Sequence, residues 1–143
     1  MDISETYIKM SDCSEIQGEW KHKEGDFYTT KHPNEKYRIP WVFDMADMKE
    51  YEKNYIPLIK SLGKIPYRYV WLPRQDQIQE MVRKDYENTL DMLCDFYGII
   101  TVDQPTGFQQ MFEVSMEQLW LVFYMYSKHK KIWNGKEWEK KKA

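Results

Sequence analysis

Arg74, Gln75, Asp76, Gln77 and Gln79 form the most polar cluster beside an aromatic stretch, following directly on Trp71-Leu72-Pro73. A guanidinium and several amides in close succession present donors in planar arrays, which suits reading a partner surface or a base edge. The same residues have a structural use. Asp76 can cap a helix after Pro73, and Arg74 can pair with a nearby carboxylate. Catalysis has less to build on. His22, His32 and His129 are isolated, with no Cys or second His at metal-ligand spacing. Cys13 and Cys94 have no CxxC partner and no adjacent base. They read as reduced, ordinary thiols packed as small core residues. No HExxH or DxD spacing marks a carboxylate pair, although a pair assembled by the fold stays open. No GxGxxG or GxxxxGK[ST] loop offers a phosphate cradle. The expectation is a protein with no metal and no cofactor, and a non-enzymatic role.

The six tryptophans read mainly as core or as pins for the chain end. Exposed ones would mark a protein interface, or would stack on single-stranded nucleic acid beside lysines. Trp133 and Trp138 flank Asn134-Gly135, a hairpin signal that places them on facing arms. Trp71, Arg74, Gln75, Asp76, Gln79, Trp133 and Trp138 are therefore the candidate binding residues.

The elements that must position them follow from periodicity. Tyr7, Met10, Cys13, Ile16 and Trp20 recur at helical steps, which predicts one helix from about Ser4 to Trp20. Gly25-Asp26 breaks it. Strands are expected at 26–30, 36–43 and 67–72, the second at an edge or ended by Pro40, with His32-Pro33-Asn34-Glu35 as turn. A helix is expected after Asp44, ended or kinked by Pro57. Residues 76–97 read as an amphipathic stretch split near Asp85 or Asn88, burying Ile78, Met81, Val82, Leu90, Leu93 and Phe96, with Gly98 as its stop. Residues 99–112 read as a strand or loop crossing. Ser115 and Gln118 have capping-box form and open an apolar, central helix. The fold class is α+β: a small antiparallel sheet packed against several helices, as a single domain spanning 1–143.

Length and composition agree with that class. One hundred and forty-three residues, 42% hydrophobic and 31% charged, can bury a core without disulfides or metals. Net charge is −2, yet 128–143 carries seven lysines against Glu137 and Glu139. That basic tail is about +5 and the remainder about −7. The tail reads as a solvated, frayed end, or as a patch for nucleic acid or an acidic partner. The acidic remainder argues against a dedicated DNA binder. The opening MDISETYIKM lacks an apolar core for a signal peptide, and the longest apolar run, 119–126, is too short to span a bilayer. A cytoplasmic location without membrane contact is expected.

Three segments carry a family likeness: YIKMSDCSEIQGEWKHKEGDFY, WLPRQDQIQEMV and SMEQLWLVFYMYSKHKKIWNGKEW. Together the chain resembles small phage- and prophage-encoded proteins of unknown function. In these, EIQ…W…GD, LPRQDQLQEM and SMEQLW…W-G-W elements recur in this order, with Ile78 here replacing the usual Leu. The resemblance covers less than half of the residues and implies no activity. It implies a phage or prophage accessory protein that binds a macromolecular partner, a host or phage protein, in host takeover or counter-defence. The alternatives are a nucleic-acid-binding module, and a small hydrolase or nucleotide-binding protein with an unrecognised pocket. The oligomeric state is left open.

Overall fold

The computed structural model describes residues 1–21, 23–31, 37, 41–42, 68–101 and 114–142. Within them the chain is α+β. Two short helices, α1 (Glu5–Ser11) and α2 (Ser14–Gln17), precede β1 (Phe27–Lys31), β2 (Trp41–Val42) and β3 (Arg68–Leu72). Then come α3 (Gln75–Arg83), α4 (Thr89–Thr101), α5 (Met116–His129) and a hairpin of β4 (Lys131–Trp133) and β5 (Trp138–Lys140). Expectations for 32–35, for most of 36–43, for 44–63 and for 102–112 lie outside the described residues.

The expected single helix from Ser4 to Trp20 is two helices. Ser4 caps α1 by accepting from the Tyr7 amide at 3.2 Å. The helix then stops because Asp12 and Cys13 leave helical backbone, Cys13 being fully extended at φ −138° and ψ 156°. Asp12 is drawn away by partners distant in sequence: its Oδ2 accepts from Tyr37 Oη at 2.8 Å and from Lys31 Nζ at 3.3 Å. The stripe was nonetheless right, since Tyr7, Met10 and Ile16 are buried and Cys13 and Trp20 half-buried. The break also turns Gln17 toward the sheet. Its Oε1 accepts from Trp71 N at 2.8 Å, and its Nε2 donates to Trp71 O at 3.0 Å and Ser11 O at 2.8 Å. One amide thus pairs β3 as a neighbouring strand would, and adds a second donor to the Ser11 carbonyl, which already accepts from Cys13 N at 2.9 Å. Gln17→Ala should cost about 1–3 kcal/mol, the penalty for buried polar groups left unpaired. Urea denaturation checks this, and Gln17→Glu should cost at least as much, because it sets a carboxylate oxygen against the Ser11 and Trp71 carbonyls.

β1 lies between β2 and β3, antiparallel to both, with Tyr28 opposite Trp41 on one side and Trp71 on the other. Alternation puts Tyr28, Thr30, Tyr69 and Trp71 on one face and Val70 and Leu72 on the other. Trp20 covers the first face, parallel to Trp71 at 6.3 Å. Val70, Trp71 and Leu72 are all buried, so β3 is covered on both faces.

α5 is the centre of the molecule. Residues Trp120 to Met125 are buried without interruption, and Leu119 is half-buried. The helix packs against α1, α3, α4 and β4. Ser115 caps it, accepting from Gln118 N at 3.1 Å. The other half of the expected capping box is absent. Gln118 Nε2 donates instead to Asp2 Oδ2 at 2.7 Å, which also accepts from Ser115 Oγ at 2.6 Å. Lys130 closes the helix in left-handed backbone, φ 54°, and turns the chain straight into β4.

The expected hairpin is present and the tail is not frayed through 140. Trp133 pairs with Trp138 in register, rings edge to face at 5.2 Å. Asn134 Oδ1 accepts from the amides of Lys136 and Glu137, both at 2.9 Å, and Gly135 supplies a φ of +99°. Trp138 Nε1 donates to Met10 O at 2.8 Å, and Lys131 pairs with Glu15.

The Lys131 ammonium holds the Glu15 carboxyl down at about 2. Burial works against ionisation of Asp2, but hydrogen bonds from Ser115, Ser4 and Gln118 outweigh it and keep that carboxyl below its ordinary value. Both groups are depressed on folding, so their stabilisation is complete above the ordinary carboxylate range and is lost as pH falls. The melting temperature should decline from about pH 4.5 toward pH 2. Lys131→Met should flatten the part of that decline due to Glu15; a parallel decline in the variant would rule out this ion pair as a cause.

Candidate functional site

The polar candidates gather where the end of β3, the start of α3 and the 19–26 loop meet. Trp71, Arg74 and Asp76 line an open cleft of about 590 Å³ there, with Lys21, Lys23 and Lys84 among its cations and Glu19, Glu24 and Glu80 among its acids. Gln75 and Gln79 are half-buried on α3 and do not line it. Trp133 and Trp138 lie in the β4–β5 hairpin.

The hub of the cleft is Asp26, which the sequence marks only as part of a break and as the start of a strand. It is 2% exposed. Its Oδ2 accepts from Trp20 Nε1 at 2.9 Å and Lys23 N at 3.0 Å; its Oδ1 accepts from Gln77 Nε2 at 2.6 Å and faces Arg74 Nη1 at 3.8 Å. Gly25, at φ +89°, makes the turn that delivers it. Gln77 Oε1 accepts from Arg74 N at 2.9 Å, so one amide both secures the start of α3 and holds Asp26. Arg74 donates to Gly25 O at 3.2 Å and makes a two-point pair with Asp76, Nε to Oδ1 at 3.1 Å and Nη2 to Oδ2 at 3.3 Å. The N-cap position is therefore Arg74, not Asp76, and the helix begins at Gln75. Asp76 is its second residue and acts through Arg74 and the helix dipole.

This arrangement clasps a loop to a helix across 51 residues of sequence. Burial to 2% exposure and three hydrogen bonds to its carboxylate leave Asp26 poorly suited to general-base work. Trp71 is 3% exposed and Trp133 is equally buried, so neither presents a face to a partner. The clasp joins the 20–26 loop, through Trp20, Gly25 and Asp26, to the start of α3 at Arg74 and Gln77.

No family model, curated protein or solved structure matches the chain.

A different surface stands out on α4. Periodicity places Leu90, Leu93 and Phe96 in the core with Cys94 beside them, and of these only Phe96 packs there. The helix instead buries Met92 and packs Phe96, Ile99 and Ile100 inward, while Leu90 (73%), Leu93 (41%), Cys94 and Tyr97 (70%) are exposed. Positions 90, 93, 94 and 97 fall on one side of the helix. Asn88 caps α4, its Oδ1 accepting from Asp91 N at 2.9 Å. The helix continues through Gly98 to Thr101, so Gly98 is not its stop. The missed signal was that TLDMLCDFYGIIT carries two apolar stripes, and only one can face α5.

The cysteines also differ from expectation. Cys13 is the N-cap of α2 and is half-buried, with Sγ 3.7 Å from Met10 O, and burial pushes its thiol up to about 11. Cys94 is exposed rather than a core residue. Alkylation of the native protein at neutral pH should show one fast thiol, absent in Cys94→Ser. A fast thiol surviving that change would place Cys13 at the surface.

Among the described residues, no three His, Cys, Asp or Glu gather as metal ligands, and no helix is long and apolar enough to cross a membrane. His22 and His32 lie outside those residues. His129 Nε2 is 3.4 Å from Tyr124 Oη, with the rings edge to face.

Proposed function

We propose that the chain is a non-enzymatic accessory protein of phage or prophage origin that binds another protein in the cytoplasm. The observation that carries the binding role is the outward face of α4: Leu90, Leu93 and Tyr97 form an exposed apolar stripe on a helix whose other face is already packed. Contiguous exposed apolar side chains cost solvation in the free protein and are recovered by burial against a partner. The origin and the host-takeover or counter-defence role rest on the three family-like segments alone. The intracellular setting rests on the two free cysteines.

The nucleic-acid reading required rings displayed beside the lysine tail. Trp133 is buried, and Trp138 is half-buried with its indole N–H committed to Met10, which withdraws both as stacking platforms. The test is photo-crosslinking from position 93 in infected or lysogenic cells. A discrete protein adduct at 93, absent when the crosslinker sits at Lys136 and lost in Leu90→Ser/Tyr97→Ser, is the expected result. Adducts only from position 136, or adducts indifferent to the double substitution, would remove α4 as the binding face.

A further inference from the structure

We infer that the segment docking on α4 is amphipathic and basic: an apolar strip flanked by lysine or arginine. This rests on the proposed protein-binding role and adds the partner's chemistry. The stripe from Leu90 to Tyr97 rises about 10 Å, two helical turns, which suits side chains presented at i, i+3 or i+4, and i+7 by a partner helix. The rim decides the charge. α4 contains Asp91 and Asp95 and no Lys or Arg, and Glu87 lies just before it; all three acids are exposed. Among the described residues none of the three has a cationic partner. Asp91 accepts from Asn88 Nδ2 at 2.7 Å and Asp95 from Tyr86 Oη at 2.9 Å, so the carboxylates are fixed in place by neutral donors. An apolar strip bordered by unneutralised, oriented carboxylates attracts a cationic flank and repels an anionic one, while the apolar contact supplies most of the affinity. A second copy fits less well: antiparallel pairing of the same face sets Asp91 and Asp95 beside their own counterparts.

The test uses two synthetic helical peptides with the same leucine strip, one with lysine and one with glutamate at the flanking positions. Binding is read by fluorescence anisotropy of a dye on the peptide, and by protection of Cys94 from alkylation in the Cys13→Ser protein. The lysine peptide should bind at low salt and the glutamate peptide should not. Leu90→Ser/Tyr97→Ser should abolish binding at an unchanged melting temperature. Asp91→Asn/Asp95→Asn should weaken it about tenfold, with a shallower salt dependence. Equal binding of both peptides overturns the basic-partner inference and leaves the protein-binding reading standing. Binding of neither peptide, or binding untouched by the double substitution on the stripe, overturns the inference, and in the second case α4 as well. A dimer in sedimentation that Tyr97→Ser dissociates makes a second copy the occupant and overturns both.

Discussion

Trp120→Ala should lower stability by about 3–5 kcal/mol, the largest loss expected from any single truncation here. Trp120 is 1% exposed and lies flat on Phe96 at 4.1 Å, with Phe123 edge-on at 5.7 Å. Its removal opens a cavity between α4 and α5 that rigid neighbours cannot close. It also strips Phe96 of its stacking partner, and Phe96 is one of the contacts holding α4 on the body. For a chain of this size that cost corresponds to a fall of roughly 10–20 °C in melting temperature. Urea denaturation followed by circular dichroism measures it. A midpoint within error of the parent's would show that α5 is peripheral.

Asp26→Ala should cost nearly as much, about 3 kcal/mol or more, because it strands several donors at once. Trp20 Nε1, Lys23 N and Gln77 Nε2 all lose their acceptor, and Arg74 keeps only Asp76 and Gly25 O. Asp26→Asn should recover part of the loss, since its single carbonyl oxygen serves some of these donors. Arg74→Ala should cost only about 1 kcal/mol, as its guanidinium is more than a third exposed and its pair with Asp76 faces solvent. That order, with Asp26 far above Arg74, distinguishes a clasp from a binding site. If Asp26→Asn left stability untouched yet abolished crosslinking from α4, the cleft would belong to the binding machinery.

The local parts of the fold were legible because local chemistry determines them. Turn residues after DFYTT marked β1, aromatic and β-branched content marked β3, Ser115 marked the start of α5, Asn134-Gly135 marked the hairpin, and the break near Asp85 or Asn88 marked the gap between α3 and α4. The α1–α2 split escaped because its causes are distant: Asp12 answers to Lys31 and Tyr37, and Gln17 to Trp71. The site was half legible for the same reason. An ion pair for Arg74 was legible, though Asp76 was read as a cap and not as its partner, and the carboxylate between Trp20 and Gln77 has no local signature. The orientation of α4 was misread because Leu90, Leu93 and Phe96 look like one stripe until Met92, Ile99 and Ile100 compete for the same core.

The fastenings of α1 and α2 have a consequence for how the chain is made. Asp2, Glu15 and Met10 are held by Ser115, Lys131 and Trp138, separated from them by 113, 116 and 128 residues. At a ribosome adding residues at ordinary rates, the partners emerge roughly 6–25 s after the helices that need them. During that interval Tyr7, Met10 and Ile16 have no core to enter, and α1 is too short to persist alone. Folding is therefore a late event that waits for the final hairpin, and the nascent N-terminal third is the stretch most exposed to chaperones and proteases while synthesis continues.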